Sequence, residues 1–305
     1  MNAQQAVQRA VEQHTIIPAF NIPYLPMVKP IISAIVDENS VAMIQVARLE
    51  WEKFESGSPE AVAEEYFKYV NAAHTLLHLD HVPVIDEDNR QVDYLPVLER
   101  ALKVGYQSVM VDASRLSLAE NIAATKSAVQ LAHAAGAAVE AELGAVSGHE
   151  GSGIGLSYEE LFTSKKGFTD AAEATQFVKE AGCDWLSVAA GSFHGAIAES
   201  TRRQKKPEAR LDIAHIAALH EATGHLPLVL HGGSGIKQDY ILKAIENGIA
   251  KINVATELRQ PYEFALEERP GDIEYARQQV YDRTRWVIRE FLRTTDNRTK
   301  LFGND

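Results

Sequence analysis

The sequence predicts an α/β protein, a TIM-type (β/α)8 barrel with extra C-terminal helices, and three observations carry that prediction. Short apolar runs rich in β-branched residues recur along all 305 residues, each is followed by a longer segment with helical apolar spacing, and no low-complexity linker interrupts the series. Strict alternation of strand and helix requires a parallel sheet, and eight units without a break favour closure over an open doubly wound sheet. The expectation is one domain over residues 1–305, with 270–305 a helical extension packed outside the barrel or against a second subunit of a homodimer or homotetramer.

Taken in order, the polar stretch Met1 to His14 is helix-patterned and lacks the apolar core of a signal peptide. Strands are expected at Ile16–Phe20, Val41–Val46, Leu76–Asp80, Ser108–Asp112, Ala138–Glu142, Trp185–Ala189, Leu228–His231 and Lys251–Val254. Helices are expected between them at Tyr24–Asn39, Pro59–Ala73, Leu95–Val104, Leu118–Ala135, Asp170–Ala181, Asp212–Thr223 and Gln238–Asn247. Gly105, Gly136, Gly182, Gly224 and Gly248 fall where these helices would end, as helix-terminating glycines do. Beyond Pro270 the pattern gives one or two more helices, from Asp272 to about Thr295.

Composition narrows the partners. With 46% hydrophobic and 24% charged residues the chain is ordinarily globular, and its net charge of −12 repels a nucleic acid backbone. A small phosphate would have to be held by local groups against that field. One cysteine, Cys183, excludes an intrachain disulfide and fits the cytoplasm. No stretch approaches the roughly eighteen apolar residues of a membrane span.

Polar residues that are costly to bury cluster at the carboxyl ends of the expected strands, where such barrels build their sites. Strand one ends in Asn21, read as a substrate contact; strand three ends in Asp80 and His81, strand four in Asp112, strand five in Glu142. His81, His194 and His231 come from three different strand ends and would converge on the mouth, the arrangement of a catalytic Zn2+ with three protein ligands and one open position. The glycine-rich turn His231-Gly232-Gly233-Ser234-Gly235 and the run Asn253-Val254-Ala255-Thr256 follow strands seven and eight, where backbone N–H groups commonly hold phosphate. The glycine-rich segment from Leu143 to Gly167 is too long for a plain connector and reads as a lid carrying Glu150 as an acid or base.

These segments resemble the class II fructose-bisphosphate and tagatose-bisphosphate aldolases from Ile17 to about Phe302. The likeness is carried by Ile17-Pro18-Ala19-Phe20-Asn21, His78-Leu79-Asp80-His81, Ser108 to Asp112, Val139 to Gly144, His231 to Gly235 and Lys251 to Leu258, in this order along the chain. The resemblance implies a zinc held by His81, His194 and His231, with Glu142 and Asp112 as alternative or neighbouring contacts. It implies that Asp80 takes the proton from the substrate hydroxyl as the carbon–carbon bond breaks, and that Glu150 exchanges a proton with the resulting ketone half. It further implies that Gly195, Gly232, Ser234, Asn253 and Thr256 bind the phosphate of a dihydroxyacetone phosphate half, near a monovalent cation, Na+ or K+.

The departures from the family pattern surround the other half of the substrate. Strand two is followed by Arg48-Leu49-Glu50-Trp51 where a small polar residue and glycine are usual, and an acidic run from Val82 to Asp93 follows His81. Arg48 could meet a second phosphate or a carboxylate, or pair with Glu50. Lys251 opens its strand rather than closing it, which places it poorly for a Schiff base. A metal-dependent hydrolase on the same barrel and a non-catalytic sugar-phosphate binder remain open as alternatives.

Overall fold

The computed structural model describes residues 1–144, 158–192, 210–233 and 235–303. Its strands, β1 (Ile17–Asn21), β2 (Ala42–Ala47), β3 (Thr75–Pro83), β4 (Ser108–Asp112), β5 (Ala138–Leu143), β6 (Trp185–Val188), β7 (Leu228–Leu230) and β8 (Ile249–Val254), form a closed barrel in sequence order. Every neighbouring pair is parallel, including β1 with β8. The TIM-type barrel expected from the alternation is therefore the observed fold.

The outer layer contains α1 (Ala3–Glu12), α2 (Val28–Asp37), α3 (Arg48–Lys53), α4 (Pro59–Tyr69), α5 (Tyr94–Lys103), α6 (Leu118–Ala134), α7 (Tyr158–Ser164), α8 (Ala171–Ala181), α9 (Ile213–Ala222), α10 (Gln238–Glu246) and α11 (Thr256–Glu268). Side-chain caps fix several starts. Ser58 accepts from the Ala61 N–H, and Ser117 and Glu120 form a reciprocal capping box at α6. The helix expected over Tyr24–Asn39 is split into a 3-10 turn at Leu25–Met27 and α2, because Pro26 and Pro30 each lack an N–H for the helical ladder. The helix expected to reach Ala73 stops at Tyr69, where the Asn71 side chain turns back to the Ala73 N–H before β3.

Two apolar cores result. Residues of α1 (Ala3, Ala6, Val7, Ala10) close the amino-terminal end of the barrel against Ile17, Met43, Leu76, Trp185 and Val229. The larger core fills the space between the barrel and its helices. The tail α12 (Ile273–Trp286) continues into a π-helical turn, Val287–Phe291, and α13 (Asn297–Phe302). It is bound to the rest of the chain: Arg285 and Arg289 both reach Glu38 after α2, and buried Asn297 accepts from the Val41 N–H and donates to the Ile16 carbonyl. Among the described residues no helix is long and apolar enough to cross a membrane.

Candidate active site and metal centre

Successive residues of a strand point to opposite faces, so Asp80 and His81 could not both face the barrel mouth in a regular strand. The ladder between β3 and β4 resolves the conflict. Leu79 pairs with Val109 but Val82 with Val111, so β3 carries one extra residue across this step. His81 takes the added bend at φ +25°, a backbone region rarely occupied by a residue with a side chain. This is also why β3 runs on to Pro83, past the expected end at Asp80.

The bend brings His81 and His231 together, with ring centroids 4.5 Å apart. His81 Nδ1 lies 3.3 Å from Asp112 Oδ2. His231, fully buried just after β7, has Nδ1 3.0 Å from Glu142 Oε2 and Nε2 2.8 Å from Glu140 Oε1. Burial alone would lower both imidazoles. For His81 the charges of Asp80, Asp112 and Glu142 outweigh it and raise the ring to about 10. For His231 burial and the neighbouring His81 are overcome by the two carboxylates against its ring, Glu140 hydrogen-bonded at Nε2 and Glu142 beside Nδ1, and its pKa too is raised.

Asp80 sits in a cradle of amide donors. Its Oδ2 accepts from Asn21 Nδ2 at 2.9 Å and Gln45 Nε2 at 3.1 Å, and its Oδ1 accepts from Asn253 Nδ2 at 2.9 Å. The Asn253 amide is itself oriented, because Lys251 Nζ donates to its Oδ1 at 2.6 Å. Burial would raise Asp80, but His81, Lys251, His231 and His78 together hold its carboxyl below the usual range. A second carboxyl, Glu50, accepts from Asn21 Nδ2 and the Ala47 N–H. Burial, aided by the Asp80 charge, pushes Glu50 up to about 8 against those two bonds. The site thus holds an ionised carboxylate beside a neutral carboxylic acid.

Three groups of side chains have ligand atoms within 4.8 Å of one another: Asp80, His81 and His231; His81, Asp112 and Glu142; and His78, Asp80 and Glu140. The third group already has its cation, since Lys251 Nζ lies 2.9 Å from Glu140 Oε2. The first two share His81, and their mixed imidazole and carboxylate donors suit a divalent first-row metal. The proton held so tightly by His81 marks the same excess of negative charge. These residues therefore fit a metal ion.

The remaining expected residues divide by location. Gly232 adopts φ +68°, so the turn after β7 favours glycine there, and a Cβ on Gly233 would lie 2.8 Å from Ile252 Cδ1 and push that side chain aside. Ala255 precedes α11 and Thr256 opens it, so the N-terminus of α11 follows directly on the carboxyl end of β8. Arg48 does not pair with Glu50: it opens α3, where Glu52 at i+4 lies 2.7 Å away, and its other contact is Asp86 at 3.5 Å. The acidic run after β3 is ordered, with Asp86 Oδ1 accepting from the N–H groups of Asp88 and Arg90. Glu150, His194, Gly195 and Ser234 lie outside the described residues, as does the basic loop Arg202 to Lys206.

Sequence reasoning gives no role to Gln45, Glu50 or Glu140 and weighs Lys251 only as a Schiff-base candidate. A signal existed for two of them: Glu140 and Lys251 stand two residues before Glu142 and Asn253, on the same side of a strand and inside the barrel.

Comparison with known proteins agrees with this geometry. The family described as fructose-bisphosphate aldolase class-II matches residues 1–304. The fructose-bisphosphate aldolase of Streptococcus pneumoniae serotype 4 is 32% identical over 237 residues, covering 75% of this chain and 71% of that protein. That of Streptococcus pyogenes serotype M3 is 33% identical over 236 residues with the same coverage, 75% and 71%. Among solved structures, the YdjI aldolase of Escherichia coli K12 superposes with a TM-score of 0.75 at 28% identity, over 96% of this chain and 97% of that chain. The fructose-bisphosphate aldolase of Campylobacter jejuni shares the fold at 18% identity, with a TM-score of 0.71 over 95% and 94% of the two chains. The chain belongs to the class II fructose-bisphosphate aldolase family and is an aldolase, a lyase of carbon–carbon bonds.

Proposed function

We propose that this aldolase reversibly cleaves a phosphorylated ketose, a ketose 1-phosphate, a 1,6-bisphosphate or a related keto-sugar acid phosphate, into dihydroxyacetone phosphate and an aldehyde. The observation that carries the reading is a triply hydrogen-bonded Asp80 beside the His81–His231 pair. Zn2+ is the proposed metal, held by His81, His231 and His194, with Glu142 and Asp112 beside it. When bound it supplies a Lewis acid for the ketone oxygen, a contribution of several kcal/mol to a reaction that places negative charge there.

Asp80 accepts the proton of the hydroxyl on the carbon beyond the breaking bond. That carbon becomes the aldehyde, and the bonding electron pair passes to the ketone half. Glu150 then returns a proton to the carbon of the ketone half, which completes dihydroxyacetone phosphate. Asn21, Gln45 and Asn253 fix the direction in which Asp80 presents its oxygens and need no rearrangement as charge moves. The turn Gly232-Gly233-Ser234, Gly195, the backbone at Asn253 and Ala255, and Thr256 at the start of α11 bind the phosphate, with Na+ or K+ nearby. Arg48, which exchanges its contacts with Glu52 at 2.7 Å and Asp86 at 3.5 Å for the substrate, meets the distal phosphate or carboxylate of the ketose. The enzyme works in the cytoplasm as a homodimer or homotetramer.

The test is metal removal. Dialysis against a chelator should abolish release of dihydroxyacetone phosphate from a panel of phosphorylated ketoses, and added zinc should restore it. Full turnover in a metal-free preparation would refute the reading.

A further inference from the structure

The interior of such a barrel is ordinarily filled by branched aliphatic side chains. Here its middle holds a fully buried ion pair, Glu140 on β5 and Lys251 on β8, with Nζ 2.9 Å from Oε2. A buried pair of this kind is seldom more stable than hydrophobic residues of the same volume. Its presence calls for a role other than stability, and the bonding of Glu140 supplies one. Oε2 accepts from Trp185 Nε1 at 2.7 Å as well as from Lys251, and Oε1 accepts from His231 Nε2 at 2.8 Å.

We propose that Glu140 is a positioning residue for the metal centre: it holds the proton of His231 on Nε2, so that Nδ1 presents the lone pair that binds the metal. The proposal rests on the zinc reading given above. The geometry agrees, since Nδ1 is the nitrogen on the Glu142 side, 3.0 Å from Oε2 of that residue. Lys251 and Trp185 make the arrangement one-directional. An ammonium and an indole N–H can only donate, so Oε2 must accept, and the ionised carboxylate has no proton to offer at Oε1 either. Oε1 is left for His231.

This logic predicts a specific failure for Glu140→Gln. The amide oxygen of the new side chain must occupy the Oε2 position to satisfy Lys251 and Trp185. Its NH2 then faces His231 Nε2, which has to become an acceptor, and the ring proton moves to Nδ1, where it blocks the metal. The side chain keeps its shape and volume, so packing alone predicts little change.

The experiment compares wild type and Glu140→Gln by zinc affinity, measured by competition with a chromogenic chelator, and by 15N NMR of the histidine rings in the zinc-loaded protein. The wild type should show His231 with a protonated Nε2 and a metal-bound Nδ1. The variant should lose zinc affinity by about 10–100-fold, the usual cost of removing the partner of a metal-binding histidine. Wild-type zinc affinity in the variant, or a wild-type spectrum with zinc on Nε2 of His231, would overturn the proposal. The wild-type spectrum decides the matter even if the variant fails to fold. Zinc binding with the expected spectrum but no ketose cleavage would sink the substrate reading alone, whereas a wild type that takes up no zinc would sink both.

Discussion

Replacing Asp80 by asparagine tests the proposed base separately from the proposed metal. The substitution keeps the side-chain shape and removes the charge and the basicity. General-base catalysis is worth about 10²–10⁴-fold, so kcat should fall by that factor, equivalent to about 3–5 kcal/mol of barrier. The cradle adds a stability term whose location can be worked out. Oδ2 has two donors, from Asn21 and Gln45, and Oδ1 has one, from Asn253. The single amide oxygen that Asp80→Asn leaves should therefore stay with the two donors, and the new NH2 should turn toward Asn253. Asn253 cannot flip in response, because its oxygen is bound to the Lys251 ammonium. One donor is left facing another at a part-buried position, a cost on the order of 1 kcal/mol. The assay is threefold: initial rates of dihydroxyacetone phosphate release, zinc content by chelator titration, and chemical denaturation. Turnover near that of the wild type would remove Asp80 as the base. Loss of zinc in parallel with activity would make Asp80 a metal ligand instead, as its place in one of the metal-sized groups allows.

Other perturbations probe separate parts of the molecule. Glu50 has its folded pKa raised from 4.5 to about 8, so the stability it contributes is complete below about 4.5 and is lost as pH rises through 8. Glu50→Gln should remove a pH-dependent loss on the order of a few kcal/mol; equal slopes of stability between pH 5 and 8.5 in denaturation of both proteins would refute this. Asn297→Ala strips the buried partner from the Val41 N–H and the Ile16 carbonyl and should cost about 1–3 kcal/mol while kcat holds, which parallel melting and rate measurements would check. Arg48→Ala should raise KM about 10–100-fold for ketoses with a distal anionic group and leave neutral-ended ones unchanged, as expected for a lost charge-assisted hydrogen bond. His194→Ala should lose zinc together with activity, and full zinc occupancy by elemental analysis would contradict its assignment as a ligand.

Much of this is legible in the sequence because burial is costly. Apolar runs of strand length punctuated by helix-ending glycines leave few alternatives to the barrel, and polar residues at strand ends locate the mouth. His81, Asp112, Glu142, His231 and Asp80 are indeed brought together there. What escapes reading is the tier beneath them. Glu140 and Lys251 look like isolated charges within separate apolar strands, and only barrel closure reveals that they neutralise each other. Strand spacing gives Arg48 the neighbour Glu50, but the chain has already turned helical at Arg48, which moves its partner to Glu52 and leaves Glu50 to the interior. The extra residue in β3 has no glycine to announce it, since the constrained position is filled by His81 itself.

That position sets a rule for how this enzyme can change. A pleated chain repeats every two residues, so adding or removing a single residue between Leu79 and Val82 would invert inside and outside for whatever follows the change. Parity, not length, is the constraint. A one-residue insertion between Asp80 and His81 would aim the His81 imidazole at the helical layer and disarm the candidate metal centre, even with every chemically active side chain still present.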